Sequence, residues 1–293
     1  MSLLRPAVLL SLLVIVLACA ASASASPIGA AASSVHFCNG VSGAVYIVSD
    51  GVLTDGADCS GAVTVDSSVN VIGDSAFFNN TKITAIVLPD GLTAIGSYAF
   101  YSNTALKSVT FPSSLKSIGN YAFYFTSALK SAALPDSMTS IGSYAFFYTA
   151  LKAVTIPRGI TTVSNYSFAR NNALKTVTVP AGVKSIGAFA FADNPALTSV
   201  SLPSGLTSIG SYAFYFDTAL KSVTIPASVS TLGSYSFAYS NQLYAVKFLG
   251  NAPSVASKAF LFIQAGAKAY RKQGLKGYGS NGSYFHGLRV ATP

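Results

Sequence analysis

A six-residue theme returns along this chain at a nearly constant interval. It reads Ile95-Gly96-Ser97-Tyr98-Ala99-Phe100, and copies end at Phe123, Phe146, Phe168, Phe191, Phe214 and Phe237. A looser copy ends at Phe77 and a degenerate one at Phe260. Successive phenylalanines lie 23 residues apart, except for a step of 22 between Phe146 and Phe168. A fixed period in this range implies a solenoid, in which each repeat is one unit stacked on the last. Such folds build long, regular surfaces and usually bind something.

Residues 106–128 serve as the type repeat. Val109 and Phe111 alternate with Ser108 and Thr110, the period-two pattern of a half-buried strand. Pro112 ends that strand because it cannot donate to a ladder. Gly119 follows the second apolar pair and suits a turn with unusual backbone angles. Tyr121-Ala122-Phe123 is expected to cover the back of the coil as a short helical turn. The inward set is Leu106, Val109, Phe111, Leu115, Ile118, Ala122 and Phe123. One repeat cannot shield that much apolar surface, whereas stacking can, at about 1.5–3 kcal/mol per large buried side chain. The phenylalanine closing each copy should form a spine of stacked rings. The strand pattern recurs around Val63, Ile86, Val109, Ala132, Val154, Val177, Val200, Val223 and Val246. This predicts nine strands side by side in one parallel sheet, with a short tenth at Phe262. The fold class is therefore a mainly β repeat solenoid with a short helical or irregular back face.

The ends of the chain read differently. Residues 1–26 have a short n-region with Arg5, an apolar run from Ala7 to Leu17 and small residues around Ala18-Cys19-Ala20. This is the pattern of a secretory signal peptide and too short for a convincing membrane span. A bacterial lipoprotein signal, with Cys19 as the lipidated residue, fits less well because Leu17 and Ala18 match such a box only loosely. Residues 27–59 are expected to form an N-terminal cap. Its alternation at Ala44-Val45-Tyr46-Ile47-Val48 and its turn signal at Asp50-Gly51 predict a hairpin. Cys38 and Cys59 are the only cysteines outside the leader. In an exported chain they are expected to pair, and closing a loop of about 20 residues contributes roughly 3 kcal/mol in the chain-entropy model. Residues 60–260 make the solenoid and 261–293 a C-terminal cap, with a short helix expected over Ala265–Gln273 and packing residues at Tyr278, Tyr284, Phe285 and Leu288. Sequons at Asn79, Asn165 and Asn281 matter only in a glycosylating host.

The repeat formula Leu-x-x-Val-x-Ile-Pro followed by Ser-Ile-Gly-x-Tyr-Ala-Phe resembles the BspA-like leucine-rich repeat, also called the Treponema pallidum type. The resemblance runs from about Cys59 to Phe260. The segment from Phe262 to Tyr270 is similar to that family's terminal repeat, in which a strand leads into a capping helix, but carries Gln264 where the family usually has Pro. The resemblance implies a secreted or surface protein with a binding role, several members acting in adhesion. It implies no particular ligand.

Three columns of side chains should run along the solenoid, with neighbours roughly 4.8 Å apart on paired strands. The first is hydroxylic: Thr64, Thr110, Thr155, Thr178, Ser201 and Thr224 share one outward strand position, and Ser108, Ser131, Thr176, Ser199 and Ser222 the next. Hydroxyl residues suit an exposed parallel sheet, and a flat face of this kind also suits an ordered surface such as ice or cell-wall polysaccharide. The second column is basic: Lys107, Lys130, Lys152, Lys175 and Lys221, interrupted by Thr198 and Tyr244. Like charges in register repel, so the row serves either solubility or an anionic partner. The third is aromatic: Tyr98, Tyr121, Tyr144, Tyr166, Phe189, Tyr212 and Tyr235 precede the spine, and Phe78, Tyr101, Tyr124, Phe147 and Tyr215 follow it. Mutual stacking is the expected role.

Charge and composition narrow the function classes. The chain has 18 Lys and Arg against nine acidic residues, all Asp. Loss of Arg5 with the leader lowers the formal charge from +9 to +8, which favours acidic glycans or anionic surfaces. Secretion argues against nucleic acid. Only His36 and His286 exist, one near each end, so no histidine-centred triad can form within the solenoid. Asp50, Asp55, Asp58, Asp66 and Asp74 cluster near the N-terminus but lack the spacing and terminal Glu of a calcium loop. No cofactor is expected. The reading is a non-enzymatic binding protein for an extracellular protein or anionic glycan. Its expected contacts are Ser108, Thr110, Thr155, Thr178, Ser199, Ser201, Ser222 and Thr224, edged by the five lysines. The alternative is an ordered-surface or structural protein that uses the Thr/Ser columns.

Overall fold

The structure is a computed structural model and describes residues 33–38 and 43–292. The signal peptide expected over residues 1–26, with Cys19, lies outside the described residues. Each repeat forms one coil with two short strands. The front strands of the first three coils are Gly61–Thr64, Ile83–Val87 and Ser108–Thr110, paired in parallel. A second group joins Ala153–Thr155, Thr176–Thr178 and Ser199–Ser201. A third joins Ser222–Ile225, Ala245–Phe248, Lys268–Arg271 and Leu288–Ala291. The front is thus three sheets rather than the single sheet expected.

A second ladder, which the repeat formula did not announce, runs through the Ser-Ile of each Ser-Ile-Gly. These two-residue strands stack from Val71–Ile72 to Ser140–Ile141 and again from Thr162–Val163 to Ser254–Val255. It breaks beside the coil that makes the first of the two front-sheet breaks and runs on past the second, between Ser199–Ser201 and Ser222–Ile225. At the first break the front segment reads Ser131-Ala132-Ala133 and forms no strand. The one-residue deletion lies in the next turn, Thr149-Ala150-Leu151, where the preceding repeat has Thr126-Ser127-Ala128-Leu129. A missing residue shifts register, and two alanines offer none of the branched side chains that favour a strand. An exposed pair, Arg158 and Asp136 at 3.3 Å, bridges the dislocated coils.

The back is not a helical turn. Tyr121 and Phe125 both have positive φ, 56° and 59°, and so do their equivalents in neighbouring coils. L-residues pay for that conformation, and the return is a third set of inter-coil bonds. Tyr121, Phe123 and Phe125 each donate their N–H to the next coil, to Ser143, Ala145 and Phe147 carbonyls at 2.8–2.9 Å. Gly119 serves close approach: a Cβ there would lie 2.6 Å from the Ser97 nitrogen of the previous coil.

The spine forms as expected. Rings from Phe77 to Phe260 stack at centroid spacings of 5.0–5.7 Å, all buried. Beside it runs a buried polar column absent from the sequence reading: Asn80, Asn103, Thr126, Thr149, Asn171, Asn194, Asp217 and Ser240. Asn103 Nδ2 donates to the Phe77 carbonyl at 2.8 Å and Asn171 Nδ2 to the Phe146 carbonyl at 3.0 Å. Oδ1 of Asn194 accepts from the Asn171 N–H at 2.8 Å. These bonds satisfy backbone groups that the turns leave inside the core.

The caps close both ends. Val45–Ser49 and Val52–Asp55 form the predicted hairpin around Asp50 and Gly51, both at positive φ, and Ser33–Phe37 adds a further antiparallel strand. Cys38 and Cys59 are disulfide-bonded. At the other end, residues expected to be helical instead contain the strand Lys268–Arg271 in register with Ala245–Phe248. That strand, not Phe262, takes the tenth front position, and because the fourth position forms no strand it is the ninth strand observed there; Phe262 sits in a turn. Its residues pack as a strand because Ala267 and Ala269 alternate inward, both buried. Tyr278, Phe285 and Leu288 are buried as expected, whereas Tyr284 is exposed.

Two predictions follow from the core. Asp217 occupies an asparagine position; its Oδ1 accepts the Asn194 N–H at 2.9 Å, but Oδ2 has no partner. Burial pushes its pKa well above the ordinary value of 3.8. An acid with a raised folded pKa adds stability that is fully present below the unfolded pKa and is lost as pH rises through the folded pKa. Asp217→Asn should therefore stabilise the chain at pH 7, by about 1–3 kcal/mol, with a smaller gain at pH 4, as read by chemical denaturation at both pH values. Cys59→Ala should cost about 3 kcal/mol in the same assay without reductant, and dithiothreitol should reproduce the loss in the parent chain.

Candidate recognition face

The front strands alternate strictly because one side packs on the spine. Val109, Val154, Val177 and Val223 point in and are buried, so their neighbours point out. All the hydroxyl residues singled out from the sequence are exposed: Ser108, Thr110, Thr155, Thr178, Ser199, Ser201, Ser222 and Thr224. Registers place Thr155, Thr178 and Ser201 in one row, with Ala153, Thr176 and Ser199 beside it. The longest row of Ser and Thr, formed by Thr155, Thr178, Ser201 and Thr224, spans four coils, and its strand pairing lapses between Ser201 and Thr224. The break at residues 131–134 interrupts both columns, and Val87, exposed, interrupts the first.

The lysines flank these rows. Lys107, Lys130, Lys152, Lys175 and Lys221 are all exposed. Their backbones stay in register: the Lys175 N–H donates to the Lys152 carbonyl at 2.9 Å and Lys152 to Lys130 at 3.3 Å. Two ion pairs form among the described residues, Arg158–Asp136 and Arg170–Asp193, and neither uses a lysine of this row. The row is therefore an uncompensated positive edge.

Sequence reasoning missed the C-terminal extension of this face. Lys247 follows Thr224 in register and Tyr270 follows Lys247, while Lys268 follows Ala245 and pairs with Arg289. Ser222, Thr224, Lys247 and Tyr270 line a shallow cleft of about 310 Å³. Lys247 was legible, since it lies 23 residues after Thr224. Tyr270 and Lys268 were not, because the expected helix would have turned them elsewhere. At the opposite end, His36, Phe37, Ala62 and Thr64 border a second cleft of about 470 Å³. Its wall is Tyr46, stacked on His36 at 5.3 Å, with the Tyr46 hydroxyl accepting the Asp66 N–H at 2.8 Å.

The chemistry available on this face is recognition: hydroxyls, ammonium groups and the tyrosines Tyr244 and Tyr270 on a hydrogen-bonded frame. The N-terminal aspartates cap turns instead. Asp55 accepts the Ala57 N–H, Asp66 that of Ser68 and Asp74 that of Ser97, at 2.7–3.0 Å. Among the described residues no group of three His, Cys, Asp or Glu is placed to hold a metal ion, and no helix is long and apolar enough to cross a membrane.

Comparison with known proteins agrees with this architecture. The model of the BspA-type leucine-rich-repeat region matches residues 58–175 and 164–265, in six copies. A leucine-rich cell surface protein from Faecalibacterium prausnitzii superimposes with a TM-score of 0.59 at 29% identity, covering 81% of this chain and 75% of its own. A leucine-rich-repeat protein from Bacteroides ovatus gives 0.58 at 25% identity, covering 82% and 69%. A leucine-rich-repeat protein of T. pallidum, at 22% identity and 0.54, covers 66% and 82% and shares the fold. No curated protein matches the chain.

Proposed function

The chain belongs to the BspA-type leucine-rich-repeat family, and on that premise we propose that it is a secreted or cell-surface adhesion or recognition protein with no catalytic role. Its ligand is an extracellular protein or glycan that presents negative charge to the front face. The observation that carries this reading is the row of five exposed lysines beside the Ser/Thr rows, with no carboxylate paired to it. Such a row has no stabilising value for the fold, since stacked ammonium groups repel. An anionic chain laid along the solenoid would relieve that repulsion while hydroxyls and Tyr270 supply directional contacts. Export rests on the leader sequence, and a surface protein from F. prausnitzii with the same architecture fits it.

The ordered-surface alternative uses the hydroxyl rows alone. Rows limited to four coils give a short template for a lattice, so it ranks second. Salt separates the two. Binding of the mature chain to immobilised heparin, chondroitin sulfate and matrix proteins should be saturable and should weaken between 50 mM and 500 mM NaCl, as exposed charge pairs are screened. Reversing Lys107, Lys130, Lys152, Lys175 and Lys221 to Asp should abolish it without lowering the melting temperature. Retention on crystalline polysaccharide that is indifferent to both salt and charge reversal would favour the alternative instead.

A further inference from the structure

The face that carries the aromatic columns has an interruption of its own. Tyr98, Tyr121, Tyr144, Tyr166, Phe189, Tyr212 and Tyr235 form an unbroken stack at 4.3–4.9 Å, with successive planes within 4–8°. The column next to it begins in the same way: Phe78, Tyr101, Tyr124 and Phe147 stack at 4.9–5.0 Å. Its next two members are Ala169 and Ala192, and the rings resume at Tyr215. Two ring positions between Phe147 and Tyr215 therefore carry only methyl groups, both buried, and Ala238 follows Tyr215 in the same column. The space they leave is a cleft of about 440 Å³ lined by Phe147, Tyr166, Phe189, Tyr215 and Phe216, with Arg170 and Asp193 at its side.

Its end walls are held in ladder orientation. Phe147 is inclined 53° to Tyr144 in the unbroken stack, and Tyr215 is inclined 64° to Tyr212 in the same stack. Phe147 is parallel to Tyr124 within 3°, so its second face is turned along the column, where Arg170 meets it. Arg170 lies over Phe147, its Cζ 5.9 Å from the ring centroid, and its Nε donates to Asp193 Oδ2 at 2.9 Å. The Arg170 terminal nitrogens and Asp193 Oδ1 have no partner among the described residues, so the rim offers free donors beside a free acceptor.

We infer that this cleft is a binding site for a small planar aromatic molecule that stacks against Tyr215 in the vacant ring positions and meets the Arg170–Asp193 pair with a polar edge. The surrounding repeats show what the space accepts, since at equivalent positions the chain fills it with its own rings. The volume is that of a small-molecule pocket, and apolar walls with a few convergent polar groups are the usual composition of one. Stacking supplies affinity and the ion pair sets orientation; a guanidinium beside an aromatic face adds cation–π attraction. The site is independent of the lysine row, which lies beside the front strands.

Calorimetric titration of the mature chain with 4-hydroxybenzamide and with uracil tests the inference, with methyl glucoside as a non-aromatic control and N-acetyl-tyrosinamide as a side-chain mimic. The two free rings should bind saturably and the glucoside should not. Tyr215→Ala should weaken binding about tenfold. Ala192→Tyr, which restores the residue type of neighbouring repeats and so should fold, should remove binding while keeping the melting temperature. The five-lysine reversal should leave ring binding unchanged, so this site and the front face can fail separately. Binding that survives Ala192→Tyr, or no binding by either free ring, would overturn the proposal. Tighter binding of N-acetyl-tyrosinamide than of the free rings would overturn it in favour of a partner's side chain.

Discussion

Every residue in this solenoid must stack on its own equivalent one coil away. That requirement comes from the backbone, which is bonded coil to coil along the front strands, the Ser-Ile strands and the back turns. Three bonded tracks leave no freedom to slide, so a side chain meets a near-copy of itself at about the spacing of paired strands. Residue types that tolerate self-stacking therefore fill the columns. Phenylalanine stacks face to face, asparagine donates and accepts in series, and glycine permits an approach that a Cβ would block. The same rule makes the lysine row conspicuous, because ammonium groups gain nothing from one another.

Departures from the rule are few and each has a local consequence. The 22-residue repeat removes one residue from a turn, and pairing in the front and Ser-Ile ladders is lost next to it. The aromatic spine and the tyrosine stack nevertheless continue across the same coils, with Phe146 and Phe168 at 5.5 Å and Tyr144 and Tyr166 at 4.3 Å. The back-turn bonds continue as well, the Phe146 N–H donating to the Ser167 carbonyl at 2.8 Å, so ring stacking and the back track together carry the solenoid past the lapse in the other two ladders. Asp217 departs in another way. It enters a column whose neighbours need a donor at the second oxygen position, and a carboxylate has none to give unless it holds a proton.

The two long faces differ in physics. The front is rigid, hydroxylic and positively edged, and suits a ligand recognised through charge and hydrogen bonds. The back is aromatic, its ion pair Arg170–Asp193 cancels within itself, and Lys258 lies over the Tyr235 ring. A ligand of the front face would respond to ionic strength, and one held in the aromatic gap would respond little.

Periodicity made much of this legible. The spine, the inward valines, the hydroxyl and lysine columns and the N-terminal hairpin were all readable, because residue type and spacing repeat wherever burial repeats. The Cys38–Cys59 pair was readable from the count of cysteines once Cys19 was assigned to an export leader. What escaped was decided by contact between coils. Tyr121-Ala122-Phe123 looks helical by itself, yet bonding to the next coil turns Tyr121 and Phe125 to positive φ. The polar column at Asn171 and Asn194 sits in the most variable stretch of the repeat, so only burial reveals it. Lys268 and Tyr270 join the front face because the preceding strand offers an open edge, which outweighs any local preference for helix. Sequence alone determined the unit, its period and the identity of its columns, since these follow from which side chains must leave water. The tertiary structure decided where the ladders break and where a cleft opens, since these depend on how one coil lands on the next.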